Sequence, residues 1–399
     1  MVKVLCPPLS PNGHSDLPSP EDPRQALTQS RISSIFRHYV SELAPWYDLN
    51  DARRRFQDVV SVEALHNPLL FSAILAFSSV HLHRSLGSRE FLYIAEYYHL
   101  ESIRRLIAIT DRRSQIHDGA TLAATCLLRS YEILAQSVGS QSHLHGSSSF
   151  LAGQQIRIGP DLLSAGFWNY LREDITVALI EKRRLKIDLE NIWMQYPTED
   201  DDRANMISLL LGRTINSCFG TGNDARVLPI PEWRSLREQV DEWRRDLPIS
   251  FEPIHFEQDR STNNFPELLH FHGWHIAGLQ YYHTLQIILL LAELGSVVTA
   301  EAGSLKMGSR IMALTPRVAQ EIEHHAVQIC ALAISNDSNA ARVNAFGPIA
   351  FCGVYIRNQQ QRRQLLDELQ KWEKLTSWPV ESIVRVLQTA WEEDGEAVP

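Results

Sequence analysis

Apolar positions recur every three or four residues over much of the chain, which is the period of an α-helix. In PEWRSLREQVDEWRRDLP, Trp233, Leu236, Val240, Trp243 and Leu247 keep that spacing. They define one apolar face against a charged one, so an amphipathic helix packed on a core is predicted. Two heptads are too few to argue a coiled coil. RRQLLDELQKWEKL repeats the pattern with Leu365, Leu366, Leu369 and Trp372. After Trp378-Pro379 the stripe Ile383, Val384, Leu387 and Trp391 predicts a further helix. Two runs differ. LLFSAILAFSSVHLH, which comes after Asn67-Pro68, is apolar on nearly every side and predicts a helix buried on most of its surface. Asn67 can accept from the free N–H groups of the first turn, and Pro68 suits the first helical position. WHIAGLQYYHTLQIILLLA, residues 274–292, is long enough to span a bilayer but carries two His and two Gln. A buried helix is the expectation there, with no membrane partner.

Period-two alternation is scarce, and Asn12-Gly13 lies among the first residues rather than between two apolar runs. Loops are expected near 136–150, 219–231, 250–265 and 294–314. No solenoid-type repeat is visible. The expected fold is all-α, a large multi-helix bundle of ten or more helices over residues 31–399. Residues 1–30 hold six of the nineteen prolines. They lack the apolar side chains that offset the entropy of ordering, so a disordered Pro/Ser-rich tail is expected.

Composition narrows the function. Of 399 residues, 44 % are hydrophobic, enough for a sizeable core. The formal net charge is −9, which argues against the chain gripping bare phosphate backbone unaided. The five cysteines, Cys6, Cys126, Cys218, Cys330 and Cys352, are widely scattered. That excludes a C-x-x-C metal or redox motif and suits a reducing compartment. The opening MVKVLCPPLSPNG has too short an apolar run for a signal peptide.

Candidate chemistry is thin. His270, His272 and His275 lie close together, but on a helix the first two point to different sides. His81-Leu-His83 and His143-Leu-His145 would converge only on a strand. Hydrogen-bonded structural histidine is the reading for all of these, with no metal. HGSSSF, residues 145–150, lacks the G-x-S-x-G elbow, and no phosphate-binding glycine loop occurs. Hence no catalytic residue and no cofactor is expected, and the chain is not read as an enzyme. The basic runs Arg53-Arg54-Arg55 and Lys182-Arg183-Arg184 are short and flanked by acids, as solvated helix surface is. YVSELAPWYDLNDARRRF, residues 39–56, reads as a packed joint. Pro45 halts a helix, Trp46 and Tyr47 bury, and Asp48 or Asp51 caps the next segment.

Taken in order, several segments resemble the fungal-specific transcription factor domain, the helical regulatory region of fungal zinc-cluster transcription factors. They are APWYDLNDARRRF with HNPLLFSAILAFSSVHLHR, AEYYHLESIRRLI, FWNYLREDITVALIEKRRLKIDLENIW, WRSLREQVDEWRRDLPISFEPI, GWHIAGLQYYHTLQIILLLAE, ICALAISNDSNAARVNAFGPIAFCGVYI and SWPVESIVRVLQTAW. The resemblance runs from about residue 32 to 391. It implies a transcription regulator in the nucleus that controls a fungal gene set, secondary-metabolite or catabolic. The family's N-terminal zinc cluster, with its six cysteines, has no counterpart before the helical body, where only Cys6 stands. The expectation is therefore action through a partner, either a complete zinc-cluster factor or the transcription machinery, or as a homodimer, with no direct DNA binding by this chain alone. A start downstream of the true one is the other explanation.

The alternative is an enzyme or ligand-binding protein built on the same helical body. For a small-molecule effector the candidate pocket residues are Trp168, Arg172 and Asp174, beside Tyr170 and Glu173, and Trp274, His275 and Tyr282, beside Tyr281 and His283. The plainer reading pairs Arg172 and Asp174 with neighbouring helices and leaves the aromatics in the core.

Overall fold

The computed structural model describes residues 17–110, 119–135, 143–144, 146, 151, 155–220, 228–258, 264–299 and 316–396. Helices dominate, and the fold is all-α as expected. The chain divides into two compact units. The first comprises residues 1–170, 191–194 and 377–379, and the second 171–190, 195–376 and 380–399.

The first unit is built on the helix Pro68–Leu86. Asn67 Oδ1 accepts from the N–H groups of Leu69 (3.0 Å) and Leu70 (3.2 Å), and Pro68 opens the first turn. The helix ends at Gly87, whose φ of 70° is the left-handed conformation that glycine adopts at no steric cost. Residues 69–82 are buried without a break, so every side of the helix meets protein. Among the described residues this is one helix long and apolar enough to cross a membrane, and 78 % of it is buried. The helices Arg89–Thr110 and Gly119–Ala135 pack on it. A Cβ on Gly119 would stand 2.6 Å from the Leu163 backbone nitrogen, so the start of the Leu162–Glu181 helix approaches closer than any other residue would permit.

The joint over residues 39–56 differs from expectation in one respect. The chain does not stop at Pro45 but passes through a π-helical turn, Tyr39–Leu43, into the short helix Ala44–Tyr47. A proline lacks the N–H for a helical bond, and its ring crowds the carbonyl four residues back. The wider turn ahead of Pro45 opens that space. Tyr47 is buried as expected, whereas Trp46 is only half-buried, and both aspartates hold the segment that follows. Tyr47 stacks on Phe56 (4.7 Å) and donates to Ser130 Oγ (2.6 Å). Trp46 meets Phe77, His81 and Trp378 edge-on. Asp48 accepts from the N–H groups of Phe56 and Gln57, both at 2.8 Å. Asp51 accepts from those of Arg53 and Arg55 and pairs with the Arg55 guanidinium at 2.9 Å.

Of the segment expected as a tail, residues 1–16 lie outside the described residues. Residues 17–30 include a helical turn, Pro23–Ala26, capped by Asp22. Tyr98 donates to the Pro18 carbonyl (3.0 Å), and Glu21 pairs with Arg105 (2.6 Å). Two strands, β1 (Ile156–Arg157) and β2 (Ile192–Trp193), form a parallel pair, with Arg157 lying over the Trp193 ring.

The second unit is centred on the helix Gly273–Thr299, against which Asp200–Cys218, Pro316–Ile334 and Asn339–Cys352 pack. The segment that could have spanned a membrane by length is thus a buried core helix, with Gln280, Thr284 and Gln286 buried in it. The amphipathic stripes bury the faces they promised: Leu236, Val240 and Trp243; Leu365, Leu369 and Trp372; Ile383, Leu387 and Trp391. Three tryptophans satisfy their N–H on backbone carbonyls, Trp233 on Leu289, Trp243 on Arg203 and Trp391 on Gly353. Strands β3 (His255–Glu257) and β4 (Glu267–Leu269) form an antiparallel pair inside the expected 250–265 loop and just beyond it.

Candidate functional site

The six residues singled out from the sequence fall into separate settings. Trp168 belongs to the first unit, where it is buried edge-on to Phe167 at 5.0 Å. The other five belong to the second.

Asp174 is fully buried. Its carboxylate accepts from the backbone N–H of Lys186 (2.7 Å) and Ile187 (3.3 Å) and from the Arg183 guanidinium (3.2 Å). Burial raises its pKa, and Arg183 and the two backbone donors act against that rise. Lys182 has a φ of 53°, a left-handed residue that turns the chain back after the Leu162–Glu181 helix. Asp174 ties down the segment beyond that turn. Arg172 is buried, and its charge favours ionisation of the buried Tyr281, whose phenol is held far above its ordinary range by burial. Tyr281 donates to Asn344 Oδ1 (2.7 Å), and Asn344 Nδ2 donates to Gln280 Oε1 (3.3 Å).

Trp274 and His275 meet at the start of the Gly273–Thr299 helix. His275 Nε2 lies 2.9 Å from Asp200 Oδ2, which also accepts from the Ser250 hydroxyl at 2.6 Å. Burial pushes the His275 pKa down. Burial acts to raise Asp200, but Ser250, His275 and Arg203 outweigh it and hold the carboxyl below its usual range. A neutral imidazole donating from Nε2 to an ionised carboxylate satisfies both directions. Trp274 Nε1 also stands 3.1 Å from His275 Nε2. A nitrogen that donates to Asp200 has no lone pair left for that N–H, so the Trp274 contact is not a second full hydrogen bond. Nδ1 of His275 is buried with no hydrogen-bond partner among the described residues. Phe251 covers the ring at 4.6 Å. In a hydrolytic triad the imidazole stands between hydroxyl and carboxylate. Here the carboxylate stands between the other two, an order that braces Ser250 and His275 and differs from that of a triad. Tyr282 stacks on Trp243 at 5.7 Å, and burial raises its pKa.

The sequence does not reveal how the histidines pair. His38 Nε2 lies 3.0 Å from His81 Nδ1, His99 Nε2 lies 3.2 Å from His143 Nε2, and His283 Nδ1 lies 2.8 Å from His325 Nδ1. The partners are 42 to 44 residues apart, so no local spacing announces them. Burial lowers the pKa of His38, His99, His143, His283 and His325, and His99 and His325 fall to about 4. Of the HGSSSF loop only Gly146 is described.

In the two basic runs, Arg54 pairs with Asp58, Arg55 with Asp51, and Arg183 with Asp174 and Glu181. Known proteins match part of the chain. Residues 34–169 match the model of the fungal specific transcription factor domain. A transcription activator, AMTR1 of Alternaria alternata, is 23 % identical over 351 residues, covering 69 % of this chain and 45 % of the relative. The chain therefore spans less than half the length of that curated relative. No solved structure matches this chain. The helical joint over residues 39–56 and the buried helix Pro68–Leu86 both fall inside the segment, residues 34–169, that is similar to the fungal specific transcription factor domain.

Proposed function

We propose that this protein regulates transcription of a fungal gene set, secondary-metabolite or catabolic, from the nucleus, and that it reaches promoters through a protein partner. The family match over residues 34–169 carries the reading, and the relative named as a transcription activator supports it. Partner dependence is supported by charge. The net charge is −9, and Arg54, Arg55 and Arg183 of the two basic runs are each engaged by carboxylates. A phosphate backbone is gripped by cations that shed counterions on binding, and these are already neutralised. Deleting the gene and profiling transcripts tests the reading: a co-regulated set should rise or fall together. Accumulation of one metabolic intermediate with transcripts unchanged would replace it with the enzyme alternative. The purified chain should show no preference among duplex sequences at physiological salt.

A second reading concerns a small-molecule effector at Trp274, His275 and Tyr282. The buried Nδ1 of His275, which has no hydrogen-bond partner among the described residues, favours it, because such a ring nitrogen is costly and a polar ligand would supply the partner. In a reporter strain, His275→Ala should abolish the response to an inducing condition while leaving protein level unchanged. A normal response in that strain rejects this second reading alone.

A further inference from the structure

The β3–β4 pair brings together three side chains that no part of the transcription reading uses. In the register, Glu257 stands opposite Glu267 and His255 opposite Leu269. Successive side chains of a strand alternate between faces, so His255, Glu257 and Glu267 share one. All three are exposed. On β4, the Leu268 N–H donates to Ser335 Oγ (3.0 Å), and the Asn336 amide donates to the Leu268 carbonyl (2.8 Å). The His270 N–H donates to Asn336 Oδ1 (3.1 Å). The polar groups of Leu268 therefore point away from β3, which makes Glu257 and Glu267 a hydrogen-bonded pair with Cα atoms about 5.5 Å apart. Like charges placed directly opposite destabilise a strand pair. Here β4 is anchored to the end of the Pro316–Ile334 helix, so the opposition is fixed by the backbone.

We propose that His255, Glu257 and Glu267 form a surface zinc(II) site that fastens β3 to β4. The ligating atoms of the three residues lie within 4.8 Å of one another, and His255 Nε2 is 3.4 Å from Glu257 Oε2. Two donors on one tetrahedral zinc stand about 3.3 Å apart, given bonds of about 2.0–2.1 Å. The imidazole–carboxylate pair already has that separation, and Glu267 closes the remainder by rotating an exposed side chain. One imidazole nitrogen with two carboxylates suits a borderline ion such as Zn2+, whereas Mg2+ and Ca2+ take oxygen donors. The ion would neutralise the opposed glutamates. It would also stabilise two strands of three residues, a length that is marginal alone. A fourth coordination position stays open to water.

The test uses the full chain, titrated with ZnCl2 by calorimetry, with MgCl2 as the oxygen-only control. Expected is uptake of zinc that weakens at least about tenfold in His255→Ala and in Glu257→Gln/Glu267→Gln, and no comparable uptake of magnesium. Zinc should also slow amide exchange at residues 255–257 and 267–269 in the parent and not in His255→Ala. These side chains are exposed, so circular dichroism should show the variants folded. No zinc uptake, or the same isotherm in parent and variants because zinc sits elsewhere, overturns the proposal. Unchanged exchange of the two strands overturns the fastening role. None of these outcomes bears on transcription.

Discussion

Asp48 in the first unit and Asp174 in the second do the same work in different company. Each carboxylate is buried and each receives two backbone N–H groups from a segment further along the chain, Phe56 and Gln57 in one case, Lys186 and Ile187 in the other. Asp174 receives an arginine as well, and its complete burial drives its pKa upward against that arginine. A buried aspartate with a displaced pKa is therefore not by that alone a functional group. Backbone donors alone are reason enough to bury one. Removing Asp174 would leave two buried N–H groups and a guanidinium without their acceptor. Asp174→Ala should lower unfolding free energy by about 3 kcal/mol in urea denaturation. Asp174→Asn, which keeps a carbonyl oxygen for the backbone, should cost about half as much. A loss under about 1 kcal/mol for the alanine variant would break the comparison and return Asp174 to the effector pocket.

Asp48→Ala tests the other side. It removes two charge-assisted bonds at a helix entry, and a loss of about 2 kcal/mol is expected. A larger loss than for Asp174→Ala would mean that the arginine in the second unit adds little.

The two aspartates are not equally legible in the sequence. Asp48 stands eight residues before its first donor, beside a proline and two aromatics, and such a cluster reads as a joint from residue types alone. Asp174 lies in an aromatic-rich helix, FWNYLREDITVAL, and its donors come after a left-handed lysine that residue type does not announce. The same limit hides the strands. β3 and β4 are three residues each, with no Asn-Gly or Asp-Gly turn between them, so no alternation can accumulate. The stripes of the amphipathic helices are legible because burial of one face repeats over several turns. Asp200 and Ser250 give no sign of being partners of His275 because they stand 75 residues before it and 25 before it respectively, a tertiary convergence. The turn ahead of Pro45 is hidden for a different reason: a π turn is a backbone accommodation that no side-chain pattern encodes.

Histidine pairs extend the comparison to acid. In the first unit His99 and His143 face each other with Glu132 and Arg129 nearby. In the second, His283 and His325 are surrounded by His324, Arg237 and Arg244, with no carboxylate among the charges that the described residues place on them. Burial holds both pairs below the ordinary imidazole range of about 6.5. The unfolded chain therefore binds more protons, and stability present above pH about 6.5 declines as pH falls toward 4. The slope from one such histidine is at most about 1.4 kcal/mol per pH unit. Melting temperature measured from pH 7.5 to 5 should fall, and His325→Gln should flatten the fall more than His143→Gln, whose pair has Glu132 to share the charge. Equal flattening would show that the neighbouring cations of the second unit are screened.

The smallest effects expected lie at helix starts, and they refine the contrast at its simplest. Asn67 opens the core helix of the first unit with one oxygen accepting two N–H groups, at 3.0 and 3.2 Å. Ser338 opens Asn339–Cys352 in the second with one bond, to the Ala341 N–H at 3.2 Å. A cap satisfies donors that the helix itself cannot, so its worth should follow the number it satisfies. Asn67→Ala should cost about 1 kcal/mol and Ser338→Ala about 0.5 kcal/mol in the same urea titrations. The aspartates and the caps then obey one rule, in which the penalty scales with stranded backbone donors whichever unit holds them. A Ser338→Ala loss equal to that of Asn67→Ala would break the rule, because the serine would then be worth more than the single donor it satisfies.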